Sequence, residues 1–232
     1  MRSTKVDSLE KIYVQPILLE KGRTRIALYG IGYMKDERLN LAFEKGLIAF
    51  KRPEGDWFNL LVLHQSKERG SVVGNNKAFV RPKNLPEFFH LVLWGHEHEC
   101  ITSPQKCEQT GSYLLYMGST IVTSLIDSEA KAKHCFVVDI LDKRFRVTPI
   151  ALKTARPLLY GQIELAQCGL KDISETEVER CIEGKVAKLL SKLKEQREEA
   201  DDELGLPPLL RLKVEHTGFP VINMRGLGKK LI

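Results

Sequence analysis

What this 232-residue chain lacks narrows its identity first. It has no apolar run near the roughly 20 residues that a membrane-spanning helix requires. Its opening, Met1-Arg-Ser-Thr-Lys-Val-Asp-Ser8, holds no apolar segment of the kind that directs secretion. Cysteine is sparse and odd in number: Cys100, Cys107, Cys135, Cys168 and Cys181 form no C-x-x-C pair. That excludes a disulfide framework and points to reduced thiols in a cytosolic or nuclear protein. There is no internal repeat and no low-complexity tract. What remains is a chain long enough for one large or two small domains, each with a core. Its 43% hydrophobic and 28% charged residues are ordinary for a globular protein. The net charge of +6 permits a polyanionic partner such as nucleic acid without establishing one.

Residues 12–19 and 25–29 read as two strands around a turn at Lys21-Gly22, and Asp36 is placed to cap a helix through about Lys45. Residues 57–64 read as a buried strand. A long loop covers 66–83, where function or mobility concentrates. Further strands are expected at 91–94, 101–102, 113–117, 135–140 and 145–149, with a break at 153–157. Beyond it, residues 160–165 read as a strand. Ser174-x-x-Glu177 opens a helix whose apolar residues Val178, Ile182, Val186, Leu189, Leu190 and Leu193 recur at helical spacing. That stripe reads as core. The charged run 192–203 reads as a solvated face, Pro207-Pro208 as a stop, 209–216 as a strand and 224–232 as a frayed end.

The chemistry concentrates in Leu91-Val-Leu-Trp-Gly-His-Glu-His-Glu99, an apolar run that ends in two histidines one residue apart. In extended geometry such residues face the same side. His64 also ends an apolar strand. Ligands gather outside the carboxyl ends of strands in open α/β sheets, and neutral imidazole is a common metal ligand. One strand-end histidine is more often structural, but three together favour a metal site. His134 reads as structural, and His90 and His216 read as surface or packing residues.

Trp94-Gly-His-Glu-His-Glu-Cys100 resembles the last phosphoesterase motif of the double-strand-break repair nucleases of the meiotic recombination eleven family, within the calcineurin-like metallophosphoesterases. Other stretches agree in order: Pro16–Gly22, Ile26–Gly32, Asp36-Glu-Arg-Leu39, Trp57–Leu60, Val62-Leu-His-Gln65, Gly118-Ser119, Val122–Leu125 and Leu210–Val214. The resemblance covers nearly the whole chain. It implies an α/β fold: the C-terminal part of a metallophosphoesterase β-sandwich at 1–153, then a small α+β DNA-binding capping domain at 154–232. It also implies a centre of two manganese ions, with His64 and His96 on one and His98 on the other. The complete protein would act as a 3'-5' exonuclease and single-strand endonuclease in the nucleus, as a homodimer with an SMC-like repair ATPase and nibrin, and with no membrane role.

The family's opening motifs, D-x-H, G-D-x-x-D and G-N-H-D, have no counterpart here. Gly55-Asp56 and Gly74-Asn75-Asn76 imitate them in the wrong places. The chain is therefore expected to hold no complete catalytic set, and a non-catalytic scaffold binding DNA, nibrin or the ATPase is the competing reading. Another calcineurin-like phosphatase is a third, against which the matches outside the histidines weigh. Ala78-Phe-Val-Arg-Pro82 aligns with the nibrin-docking stretch, with Phe79, Val80 and Pro82 as candidate contacts; a variable surface loop is the plainer alternative. Lys229 and Lys230 are candidate phosphate contacts.

Overall fold

The computed structural model describes residues 11–67, 79–170, 173–200, 205–220 and 223–230. The chain clusters into two compact units, Met1–Thr120 with Lys133–Ala151, and Ile121–Ala132 with Leu152–Ile232. The architecture is mixed α/β with several sheets and few helices.

In the first unit, β1 (Ile12–Val14) pairs in parallel with β4 (Ile48–Phe50). The expected single strand over 12–19 breaks at Pro16, whose missing N–H cannot continue a ladder; the chain resumes as β2 (Ile17–Lys21). With β3 (Thr24–Ile31), β5 (Phe58–His64), β6 (Leu91–Gly95), β7 (Gln105–Lys106) and β8 (Tyr113–Tyr116) it builds a six-stranded sheet in the order β2-β3-β5-β6-β8-β7. The inner strands β3, β5, β6 and β8 run parallel, and the two edges run antiparallel. No strand forms at 101–102; the edge strand lies slightly later, at β7.

A parallel sheet covered on both faces needs apolar side chains on both, and the near-continuous apolar runs of β5 and β6 supply them. One face carries Tyr29, Leu61, Leu63, Val92 and Trp94, packed with Leu39 of α1 (Asp36–Glu44) and with β1 and β4. The other carries Phe58, Leu91 and Leu115 against the hairpin of β9 (His134–Leu141) and β10 (Arg144–Ala151). β9 alternates in burial along its length because only one of its faces is covered. Each large apolar side chain buried here contributes about 1.5–3 kcal/mol.

In the second unit, β11 (Leu158–Glu164), α2 (Glu175–Ala200) and β12 (Leu209–Glu215) form a parallel βαβ turn, because parallel strands need a crossover and α2 supplies it. Ser174 caps α2 by accepting from the Glu177 amide at 3.4 Å, while the Glu177 carboxylate pairs with Arg180 at 2.9 Å instead of closing the box. Val178 and Ile182 are buried with Ile163 and Leu165, and Val186, one turn on, is buried as well. Residues 121–132, read from sequence with the first domain, join this unit, where Arg211 donates to the Leu125 carbonyl at 2.6 Å. The end expected to fray is α3 (Met224–Lys230), started by Asn223 Oδ1 accepting from the Gly226 amide at 3.0 Å and anchored by buried Leu227. Among the described residues, no helix is long and apolar enough to cross a membrane.

Candidate metal centre at the strand ends

β5 and β6 lie in register with His64 opposite Gly95. This pairing explains the glycine: a Cβ at residue 95 would stand 2.8 Å from His64 Nδ1, so the ring occupies space that any other residue would fill. β6 stops at Gly95, and His96 turns into the left-handed region with φ 77°. Such a conformation is uncommon for histidine and concentrates at functional sites. His96 and His98 therefore do not share a face by strand alternation, as extended geometry predicts. They sit on a bend beyond the strand. The His64 and His96 rings lie 5.2 Å apart, centroid to centroid, and the His96 and His98 rings 6.5 Å.

Hydrogen bonds with and among the neighbouring loops fix this bend. Glu97, only 4% exposed, accepts from the Lys67 amide at 2.9 Å. Asp36 is not the helix N-cap expected from sequence: it is the first residue of α1, and its carboxylate accepts from Ser66 N at 3.0 Å and Ser66 Oγ at 2.8 Å. Trp94 Nε1 donates to the Gln65 carbonyl at 2.7 Å. On the other side, buried Lys133 donates to Ser119 Oγ at 2.9 Å and to the His98 carbonyl at 3.4 Å. The Ser119 amide donates to the same carbonyl at 3.3 Å. Gly118, at φ 71°, lets this loop approach Cys100, whose backbone would lie 2.8 Å from an added Cβ. Burial, assisted by nearby Cys107 and Glu97, pushes the Tyr116 phenol up to about 12. Gln65 is buried between these ties, and its side-chain amide finds no hydrogen-bond partner among the described residues.

The donor set decides which metal chemistry fits. The His64 and His96 spacing suits two imidazoles on one ion. Of the nearby carboxylates, Glu97 and Asp36 accept from backbone amides, and Asp56 is bound to Lys143 at 2.6 Å at the opposite end of β5. The Lys143 hydrogen bond also holds the Asp56 carboxyl below its usual range. Among the described residues, no group of three or more His, Cys, Asp or Glu side chains gathers to hold a metal. These residues fit an imidazole pair and do not fit a two-manganese centre, which needs oxygen ligands as well.

A family model described as the Mre11 DNA-binding presumed domain matches residues 145–232. The chain is 37% identical to the double-strand break repair protein MRE11 of Oryza sativa subsp. indica, over 96% of this chain and 32% of that protein. Against mre-11 of Caenorhabditis elegans, identity is 38% over 92% of the chain and 32% of the relative. Against MRE11 of Homo sapiens it is 37% over 97% and 32%. This chain belongs to the MRE11 double-strand break repair family. It spans about a third of the length of these relatives.

The other candidate residues of this MRE11-family chain lie apart from the histidines. Phe79 and Val80 are buried, Val80 in the sheet core with its amide bonded to the Ser66 carbonyl at 2.9 Å. They thus line the fold's interior and not a docking face, whereas Pro82 opens a half-buried 3-10 turn. Ala78 and the Gly74–Asn76 imitation lie outside the described residues. Lys229 is exposed on α3; the Lys230 side chain lies outside what the structure describes. Sequence reading missed Lys133 and the roles of Ser119, Asp36 and Glu97, although the last three lie in stretches that carried the resemblance.

Proposed function

We propose that this chain is the part of an MRE11-type DNA nuclease that supplies the imidazole ligands of its metal centre and the module that grips DNA. One observation carries the proposal: the His64 and His96 rings lie 5.2 Å apart at the carboxyl ends of parallel strands, with His98 6.5 Å beyond His96 and His96 held at φ 77°. The DNA-binding family match at 145–232 and the net charge of +6 support contact with DNA. Lys229 is a candidate contact in that module. A metallophosphoesterase sandwich is the layout this reading implies for the first unit.

In the complete protein, His64, His96 and His98 would hold part of a two-manganese centre, and that centre would supply Lewis acidity for phosphodiester hydrolysis in exonuclease and endonuclease activity. The residues described here contribute nitrogen donors, orient them through the Glu97, Lys133 and Asp36 ties, and hold the His96 bend. By itself the chain takes zinc in preference to manganese, since imidazole-only sites rank zinc higher. It does not cleave DNA alone. An SMC-like ATPase, nibrin and a second copy are the partners of the complete nuclear protein. With Phe79 and Val80 buried, a nibrin contact on this segment would run through Pro82 and Arg81. Competition calorimetry with zinc and manganese, and incubation with labelled DNA plus manganese, test this reading. Tighter zinc binding that His96→Ala abolishes, with intact DNA, is the expected result. Manganese binding as tight as zinc, or cleavage lost in His98→Ala, would overturn it. A non-catalytic DNA-repair scaffold is the second reading, favoured by the commitment of Asp36 and Glu97 to backbone amides.

A further inference from the structure

The amino ends of β5 and β6, opposite the histidines, border a cavity of about 410 Å³. That volume lies in the range of small-molecule sites, about 300–1,000 Å³. Its floor is polar and specific. Asn59 is 7% exposed, and its side-chain nitrogen donates to the Trp57 carbonyl at 3.2 Å and the Phe88 carbonyl at 3.1 Å. Both donors are thereby used, which leaves Oδ1 as an acceptor. Beside it, His90 Nδ1 accepts from the Asn59 amide at 2.9 Å, so the ring proton sits on Nε2. Burial, then the Lys143 charge, lowers the His90 pKa, so the ring stays a neutral donor at physiological pH. Asn59 and His90, which both line the cavity, thus carry an acceptor and a donor beyond the bonds that hold them.

The walls are aromatic, with Phe88, Tyr113 and Phe145 among the lining residues. Tyr113 and Phe145 pack edge to face at 5.3 Å. At the rim, the Arg52 guanidinium lies over Phe88 at 5.1 Å, and no carboxylate pairs with it among the described residues. Asp56 and Lys143 neutralise each other at 2.6 Å, and exposed Glu87 is the one opposing rim charge left among the lining residues.

We propose that this cavity binds a nucleotide, with the base edge on Asn59 and His90, its ring against Phe88 and Tyr113, and its phosphate on Arg52. A donor beside an acceptor on a flat ring is what every nucleobase edge presents, and aromatic walls with a cation are how proteins hold unpaired nucleotides. A free mononucleotide and a nucleotide within a single strand share this chemistry. The site needs no metal and lies at the other end of the strands from the histidines, so it stands or falls separately from the nuclease reading.

Trp57 lines the same cavity, and its fluorescence reports occupancy. The whole chain is titrated with adenosine 5'-monophosphate and, separately, with a short oligothymidylate, both in EDTA so that no metal-bridged contact contributes. Saturable quenching by either probe is expected. Arg52→Glu weakens it about tenfold and Glu87→Lys tightens it severalfold, the changes expected of a rim charge reversed in each direction. Both residues are exposed, and thermal melts confirm that the variants fold. Tighter binding of the monophosphate identifies a small-molecule site, and tighter binding of the oligonucleotide a single-strand site; either supports the proposal. No saturable quenching by either probe overturns it, as does quenching at the wild-type midpoint in both variants.

Discussion

The two ends of one parallel sheet have been built by different means. At the carboxyl ends of β5 and β6, polar side chains stand in the open: His64 and His96 are exposed, and the bend after β6 is held by the Glu97 carboxylate on the Lys67 amide and by Lys133 on the His98 carbonyl. At the amino ends, Trp57, Asn59 and Phe89 are buried and close around a cavity. The same strands serve both, because a parallel strand brings its carbonyl-end loop to one edge of the sheet and its entry loop to the other. The carboxyl end is held by hydrogen bonds and tolerates strain. The amino end is held by packing and has Lys143 bonded to Trp57's carbonyl across it.

The largest effect should come from removing what the two ends share. Trp94 is fully buried between the core and the Gln65 carbonyl. Trp94→Ala is expected to cost about 3–5 kcal/mol, measured by denaturant unfolding. A cost below about 1 kcal/mol would mean that the histidine end is not built on this core. Next, Gly95→Ala separates stability from ligation. The added methyl lies against the His64 ring, which can swing away, so unfolding should change by less than about 1 kcal/mol. Zinc affinity should fall about tenfold or more, as when an orienting contact of a ligand is lost. Equal zinc affinity in calorimetry would show that His64 does not ligate.

Gln65→Leu should stabilise the chain by about 1 kcal/mol, since it removes a buried amide that has no partner among the described residues. A fall in melting temperature would show that the amide is satisfied in solution. The smallest effect is a pH slope from the amino end. The folded pKa of His90 is lowered, so the unfolded chain binds more protons as pH drops through the ordinary histidine value. Stability from this residue is present above that value and lost on acidification toward the folded pKa. His90→Asn keeps an acceptor for the Asn59 amide and cannot titrate. Its melting temperature should fall less between pH 7.5 and 5.5 than that of the unaltered chain, by about 1 °C. Parallel curves would place the titration elsewhere.

Local pattern and resemblance made much of the sheet legible. Apolar runs marked β5, β6, β8, β9 and β10, and the Ser174 cap and its stripe marked α2. Where reading failed, a tertiary contact outweighed a local cue. Asp36 has the identity of an N-cap, yet Ser66, 30 residues away, takes its carboxylate. The last residues have two glycines and three basic side chains, which suggest fraying, yet Leu227 finds a buried place and draws out a helix. Phe79 and Val80 sit in what reads as a polar loop, yet Val80 fills the core.

By itself, the sequence marked the candidates for chemistry. Imidazoles ending apolar strands, and a glycine before them, are local patterns that parallel strands bring together at one end of the sheet. It also determined the family, through motifs spread along the chain. Tertiary structure alone decided how that chemistry is held and what accompanies it. Lys133 reaches the His98 carbonyl across 35 residues, and Asn59 meets His90 across 31. Contacts of such separation leave no periodic trace, because each depends on two loops arriving at one place. The register that puts His64 over Gly95 is likewise set by the packing of both sheet faces, and only the folded chain reveals it.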